Sequence, residues 1–534
     1  MALLRKLSEV SGPVIGVFAP IDGRKAAMDL QKERVMARLN AIARFIDTEH
    51  RHIDGRPPRV VVADEPLRDT ASAMRVGRYF RDQGVSVAVG YSEVWAYPGE
   101  LDGLFLQNLS MGQVPLLQVS GNSATWPGVV YNFAVTGMEA QMGYLSHRVI
   151  GDVDERTGAF SPALAADILD WIAAATTFAD MWGTPYAAFG GASMNMETGM
   201  IHRIMARRYF GINTINIDMI EIEKRIEKRR YSRAEAENCF AWLTAMCGKR
   251  IRYNGTTGTE ANLRYQLAMY LVMRDIMTEL GATVGGFQGQ RQWTDHLPTG
   301  DIPEAILNDN FDHTGKKVPV AFATENDFNA GLTQRVNVGL SGGLPAIFMD
   351  FRKAYIKEGF VDFCNSGNHP PFYAALSTRA AADNYRHIRL HPVVGSYFPG
   401  GGFSNEFRAA ATDMTFDRLL TRPDGVPVMQ ASEGRSVRLS DKRARQVEQA
   451  SNPTWPHLFG TFDDDLKVVA ETWGCNHAVG MPGRLKRRVQ YWADIARVPV
   501  IGYAKFLAGG RTEPLLYQMY GGGVAARTAL GPRM

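Results

Sequence analysis

Cysteine is scarce in this chain. Cys239, Cys247, Cys364 and Cys475 are the only four in 534 residues. None forms a CxxC pair or zinc-ligand spacing, which excludes a disulfide scaffold or zinc-ribbon class and predicts a reducing, cytoplasmic setting. Surplus charge is scarce too: 59 basic against 55 acidic residues leave +4, so neither nucleic acid nor a membrane surface is expected as a partner. No stretch approaches the roughly 20 apolar residues that span a bilayer. The opening MALLRKLSEVSGPVIGVFAP lacks the continuous apolar core and small-residue cleavage site of a secretory signal. There is no P-loop; GLSGG (339–343) precedes a strand run instead of linking a strand to a helix, so it is no nucleophile elbow; and none of His369, His391, His457 and His477 falls in an HxH or HExxH pair. The triple glycines at 400–402 and 521–523 do not link a strand to a helix, so they carry no dinucleotide signal.

What is present is an ordinary globular composition, 45% hydrophobic and 21% charged, at a length that predicts two or three domains. PVIGVFAP (13–20) reads as a first strand. The turn IDGRK leads into a helix to about residue 48, with Met28, Leu30, Val35, Leu39, Ile42 and Ile46 at helical spacing. Strand-like RVVVAD (59–64), VSVAVGY (85–91) and VPLLQVSG (114–121) alternate with helical segments, the pattern of a doubly wound parallel sheet. This predicts two Rossmann-like α/β domains, 1–178 and 179–340. The second holds PYAAFGG (185–191), INTINID (212–218), charged helices at 219–230 and 232–246, and a long helix at about 259–280 whose methionines read as core filling. From 341 to 534, turn-rich NSGNHPPF, YFPGGGFSNEF and TRPDGVP predict a mixed, partly antiparallel β domain. It is closed by a helix at 482–496 and followed by a Gly- and Arg-rich surface tail or oligomer arm.

The stretch 318–352 organises the rest. VPVAFAT is a short buried strand followed by Glu325; a helix-length segment then leads through Gly342, Gly343 and Pro345 to PAIFMD, ending in Asp350. A right-handed crossover predicts two neighbouring strands about 5 Å apart, with both carboxylates beyond their C-terminal ends. Two acids there suit a hard-metal site or an acid/base pair; the simpler alternative is that each is a helix N-cap.

A metal with two carboxylates wants further ligands. His477, in WGCNHAVGMPG among small residues, stands out from His369, His391 and His457, though such a histidine is also compatible with a structural role. Oxygen donors with one imidazole point to Mn²⁺ or Mg²⁺, and such an ion binds vicinal sugar oxygens and polarises a carbonyl. GGFQGQRQWTDHLP (285–298), WPHLFG (455–460) and SYFPGGGFSNEF (396–407) combine amides, an arginine and aromatic surface with flexible backbone, which suits a sugar or, equally, a turn.

At these residues the chain resembles the L-fucose isomerase family. GFQGQRQWTD (286–295), GDIPEAILNDNFD (300–312), ATEND (323–327), FMDFR (348–352), GGGFS (400–404), NPTWP (452–456) and WGCNHAV (473–479) carry the resemblance, with weaker likeness at IDGR (21–24) and GGASM (190–194). The resemblance implies a Mn²⁺-dependent aldose–ketose isomerase, with Mg²⁺ or Co²⁺ as substitutes, working through a cis-enediol. It implies that Glu325, Asp350 and His477 hold the metal and that Glu325 and Asp350 move protons. It further implies that Gln288, Tyr397, Trp455 and Asn476 line the sugar site, that Trp95 reaches a neighbouring subunit, and that the chain assembles as a homo-oligomer, a hexamer.

Departures gather at the sugar's far end. Phe18 and Ala19 stand where the family has an arginine–proline pair, and Thr125 and Trp126 where it has an acid–arginine pair. The resemblance offers L-fucose or D-arabinose first, while Phe18 in place of the arginine speaks against the ordinary pocket. A hexose altered at C6, such as sulfoquinovose held by Arg148, Arg291 or Lys353, is the alternative. From other classes, a non-catalytic sugar-binding protein and a glycoside hydrolase using the same acid pair remain open.

Overall fold

The computed structural model describes residues 12–501 apart from 111–113, 145, 201, 368 and 423; the expected C-terminal tail lies outside the described residues. The chain divides after Asp180 into two compact units. The first holds five parallel strands, β1 (Val14–Phe18), β2 (Arg59–Val62), β3 (Val85–Ser92), β4 (Leu116–Gly121) and β5 (Ser146–Gly151), in the order β2-β1-β3-β4-β5. Helix Lys25–Glu49 buries Val35, Leu39, Ile42 and Ile46. Leu30 does not join them and is 72% exposed, because it lies about 140° around the helix from Val35.

The second unit begins with β6 (Pro185–Phe189), β7 (Asn213–Ile217) and β8 (Val284–Phe287). A small hairpin, β9 (Phe311–Asp312) and β10 (Gly315–Lys316), precedes β11 (Ala321–Thr324). Strands β11-β8-β6-β7 make a parallel sheet. Helix Glu260–Leu280 buries Met269, Met273 and Met277 in the unit's core, as packing of flexible thioethers favours.

The rest is mostly antiparallel: β12 (Ile347–Tyr355), β13 (Phe360–Cys364), the hairpin β14 (Arg389–Pro392) and β15 (Phe403–Glu406), β16 (Thr412–Thr421), β17 (Pro427–Ser436), β18 (His457–Phe462), β19 (His477–Pro482) and β20 (Val500–Ile501). The order β16-β19-β12-β13-β18-β17 closes on itself because β17 also pairs with β16. The result is a six-stranded antiparallel barrel, which leaves no exposed edge, with β20 added parallel to β17. Phe363, Phe416 and Phe462 pack ring against ring, with centroids 4.9–6.2 Å apart.

The strands bearing the two acids are therefore not neighbours. β11 belongs to the parallel sheet and β12 to the barrel. The helix between them, Phe328–Leu340, is buried along its whole length, packed on β8 and β11 on one side and on β16 and β19 on the other. A crossover helix returns the chain to its own sheet when its outer face meets water; this one carries a second sheet there. Two polar contacts tie it to the barrel: Asn337 donates to Asp417 (2.6 Å) and the Leu419 N–H donates to Thr333 (3.0 Å). Asp350 lies within β12, not at its end.

Candidate active site

Glu325 is delivered by the edge strand of the parallel sheet. On its open side β11 is paired by a side chain: Asn308 donates to the Phe322 carbonyl (2.8 Å) and accepts the Phe322 N–H (3.0 Å), as a neighbouring strand would. Glu304, on the same helix as Asn308, accepts the Thr324 hydroxyl. The backbone then turns through two left-handed residues, Glu325 (φ 62°) and Asn326 (φ 49°). Such residues persist where surroundings over-determine them. Here Asn326 accepts from the Tyr186 hydroxyl (3.0 Å) and donates to the carbonyls of Gly190 (3.2 Å) and Gly191 (3.0 Å). The helix N-cap falls on Asp327, whose side chain accepts the Ala330 N–H at 2.9 Å. Glu325 is thus freed from the capping role that its position after a strand suggested.

Asp350 and His477 are direct cross-strand partners on β12 and β19. The three side chains converge: His477 Nε2 lies 3.2 Å from Glu325 Oε2 and 3.4 Å from Asp350 Oδ1. Asn365 donates to the other Asp350 oxygen at 3.2 Å. His477 is 1% exposed, while the Asp350 side chain keeps 25% exposure and opens the group to solutes. Nδ1 of His477 donates to Asp327 Oδ2 (2.6 Å), but buried Nε2 has no hydrogen-bond partner among the described residues. Two carboxylates facing an orphaned imidazole nitrogen fit a shared hard divalent cation.

For the protein alone, burial and the Glu325 charge lift the Asp350 pKa to about 6 against the pull of His477. Burial opposes a charged His477, yet Asp327 and Glu325 raise its pKa well above the usual imidazole value. Burial likewise opposes an ionised Asp327, but Arg418 and His477 win and bring it down to about 2. The acids therefore hold a positive charge at this spot, as a metal would supply.

The remaining candidates divide. Gln288 follows β8, the neighbour of β11, and accepts the Gly191 N–H at 2.7 Å. Asn476 precedes His477, and its carbonyl accepts the Phe351 N–H at 2.7 Å. Tyr397 is 68% exposed in the turn between β14 and β15. Trp455 lines a different cavity of about 820 Å³, beside Arg389, Arg408, Arg438 and Arg445. Trp95 belongs to the N-terminal unit, edge-to-face with Tyr131. In that unit Phe18 and Ala19 are fully buried, Phe18 against Phe105, and Trp126 lies beneath Arg34.

Arg148 packs over Phe133 and Lys353 over Tyr355, while Arg291 is exposed. Trp293, aromatic in a stretch that read as loop, is core: 5% exposed, its Nε1 donating to the Pro298 carbonyl. His457 uses both ring nitrogens, on Asp362 (2.7 Å) and the Asn452 carbonyl (2.8 Å). It sits with Asp362 and Cys364 in a second metal-compatible cluster; Asp327, Cys475 and His477 form another. His391 lies on the β14 hairpin, and burial takes His369 down to about 3, with His457 adding to the effect.

Sequence reasoning passed over Asp327, Arg418 and Asn365. Asp327 was detectable as the cap-type residue before the helix. Arg418 was detectable as a charge set in the strand run TFDRLL. Asn365 has no such signal.

Family models for the first N-terminal, second N-terminal and C-terminal domains of L-fucose isomerase match residues 12–183, 184–342 and 363–504. The L-fucose isomerase of Vibrio vulnificus is 28% identical over 91% of this chain and 92% of its own. That of Haemophilus influenzae (27%) covers the same shares, and that of Bacteroides thetaiotaomicron (27%) covers 91% and 93%. The sulfoquinovose alternative finds no support among them.

Proposed function

The chain belongs to the L-fucose isomerase family and is an aldose–ketose isomerase, and from that premise we propose that Glu325, Asp350 and His477 hold a Mn²⁺ ion and carry the reaction, with L-fucose or D-arabinose as substrate. Membership in an isomerase family displaces the sugar-binding and glycosidase readings. The observation that carries the proposal is the convergence of two carboxylates and an unpartnered Nε2 from three separate chain segments. Mg²⁺ and Co²⁺ present the same preference for these donors and are expected substitutes. A bound divalent ion supplies electrostatic stabilisation of negative charge developing on the sugar's two adjacent oxygens.

The protein's own groups do the rest. One of the two carboxylates removes the C2 proton as the C1 carbonyl oxygen gains one, giving the cis-enediol; protonation at C1 and loss of the O2 proton then yield the ketose. The left-handed turn holds Glu325 and the β12–β19 pairing holds Asp350, so neither acid needs to reorganise. Gln288 and Asn476, at strand ends beside these acids, are proposed to bind sugar hydroxyls; Trp455, in a different cavity, and Tyr397, on the exposed β14–β15 turn, are left out of that set. Trp95, 38% exposed, is available to a partner copy, which fits a homo-oligomer, a hexamer in this reading. Among the described residues no helix is long and apolar enough to cross a membrane.

The test is turnover of L-fucose and D-arabinose with added Mn²⁺. Glu325→Gln is expected to remain folded and lose turnover by at least about 10³-fold, the scale of a combined charge and proton-transfer role. An active variant would remove Glu325 from the chemistry.

A further inference from the structure

The carboxylate closest to His477 is neither Glu325 nor Asp350 but Asp327, at 2.6 Å from Nδ1. Asp327 and His477 also group with Cys475 as a possible metal site of their own. The hydrogen bonds argue against that role. Asp327 Oδ1 accepts the Ala330 N–H (2.9 Å) and Arg418 Nη2 (2.9 Å), while Oδ2 accepts His477 Nδ1–H and lies 2.8 Å from the same guanidinium. Both oxygens are committed, and a cation there would sit beside a fixed positive charge. Arg418 and Asp327 are 0% and 2% exposed, so water does not screen that repulsion.

We propose that Asp327 and Arg418 are a positioning pair that sets the tautomer of His477. Arg418, on β16, also donates to the Thr198 carbonyl at 3.1 Å. It holds Asp327 ionised with an oxygen facing Nδ1. An acceptor at Nδ1 keeps the ring proton there and leaves the Nε2 lone pair directed at Glu325 and Asp350. The reverse tautomer would place N–H where the cation is to bind.

The prediction is sharp for Asp327→Asn. The Ala330 N–H requires an oxygen at Oδ1, which turns the Asn amide –NH₂ toward Nδ1 and leaves Arg418 an acceptor at Oδ1 alone. A donor there demands an acceptor at Nδ1 and moves the ring proton to Nε2. The variant keeps shape, helix cap and nearly all packing, yet inverts the imidazole.

This inference rests on the proposed metal site, so the experiment carries its own control. Mn²⁺ affinity is measured by competition with a fluorescent chelator, and thermal unfolding is followed with and without Mn²⁺. The proteins are wild type, Asp327→Asn, Arg418→Met, Arg418→Lys and Glu325→Gln. Asp327→Asn is expected to weaken Mn²⁺ binding about 10- to 100-fold, the usual consequence of losing an outer carboxylate partner. Its Mn²⁺-free unfolding temperature should fall, because buried Arg418 loses its counter-charge, so affinity is read at a temperature where the variant is folded, and the Mn²⁺-induced rise should shrink. Arg418→Met should weaken binding similarly, and Arg418→Lys, which keeps the charge, should recover part of the affinity.

A merely structural pair would lower the Mn²⁺-free unfolding temperature as well but leave the folded protein's affinity within twofold of wild type; that result overturns the inference. If wild type binds no Mn²⁺, or Glu325→Gln binds it as wild type does, the metal site itself fails and takes this pair with it.

Discussion

Replacing Asn308 by leucine isolates what holds the Glu325 strand in place. β11 has a strand neighbour on one side only. On the other, the Asn308 amide closes a two-bond ring with Phe322, accepting its N–H at 3.0 Å and donating to its carbonyl at 2.8 Å. Asn308 and Phe322 are 2% and 0% exposed, so water cannot replace those bonds. Leucine keeps the branched outline, at a somewhat larger volume, and orphans both backbone groups. Each buried orphan costs about 1–3 kcal/mol, so the strand edge should loosen by at least about 2 kcal/mol.

At roughly 1.4 kcal/mol per factor of ten, amide hydrogen exchange at residues 321–325 should accelerate by about 30-fold or more, read by mass spectrometry of that peptide. Asn308→Asp keeps the acceptor and loses the donor, so it should fall between. Turnover should drop with exchange protection, because Glu325 lies three residues beyond Phe322. Exchange within threefold of wild type in the leucine variant would refute the argument that this side chain substitutes for a strand.

Other outcomes can be checked alongside. A chelator should abolish turnover and lower the unfolding temperature, and Mn²⁺ at one ion per chain should restore both, measured by activity and metal analysis. His457 bonds two pure acceptors through both ring nitrogens, so it is an imidazolium paired with buried Asp362. Burial opposes that charge, but Asp362 raises the pKa above its usual value. His457→Gln should therefore destabilise by about 3–5 kcal/mol in urea unfolding and leave metal stoichiometry at one; loss of a second bound ion would contradict this.

Asp301 is buried, and burial raises its pKa from 3.8 to about 7, with Ser404 and Thr299 hydrogen bonds opposing the rise. The folded state then keeps a proton that the unfolded chain has already released. The stability from Asp301 is fully present below pH 3.8 and is lost as pH climbs through about 7. Urea midpoints of Asp301→Asn should decline less steeply over that window than those of wild type. Parallel curves would refute the assignment.

The sequence alone carried the family, with its isomerase class, and much of the secondary structure. Alternating apolar runs and amphipathic helices marked the parallel sheets, because each element writes its own period into a short window. The strand ends bearing Glu325 and Asp350, and the loop bearing His477, were legible as residue types suited to a hard cation. What only the tertiary structure decided was how those residues meet. Read locally, Glu325 and Asp350 belonged to neighbouring strands of one sheet. In the folded chain they arrive from a parallel sheet and from a closed barrel, on opposite sides of a helix buried all round. That arrangement depends on barrel pairings between segments far apart in sequence, from 347 to 482, to which no local period is sensitive. Asp327 and Arg418 were hidden for the same reason: a cap and a strand charge acquire a joint role only when folding brings them to opposite sides of one carboxylate-to-guanidinium contact.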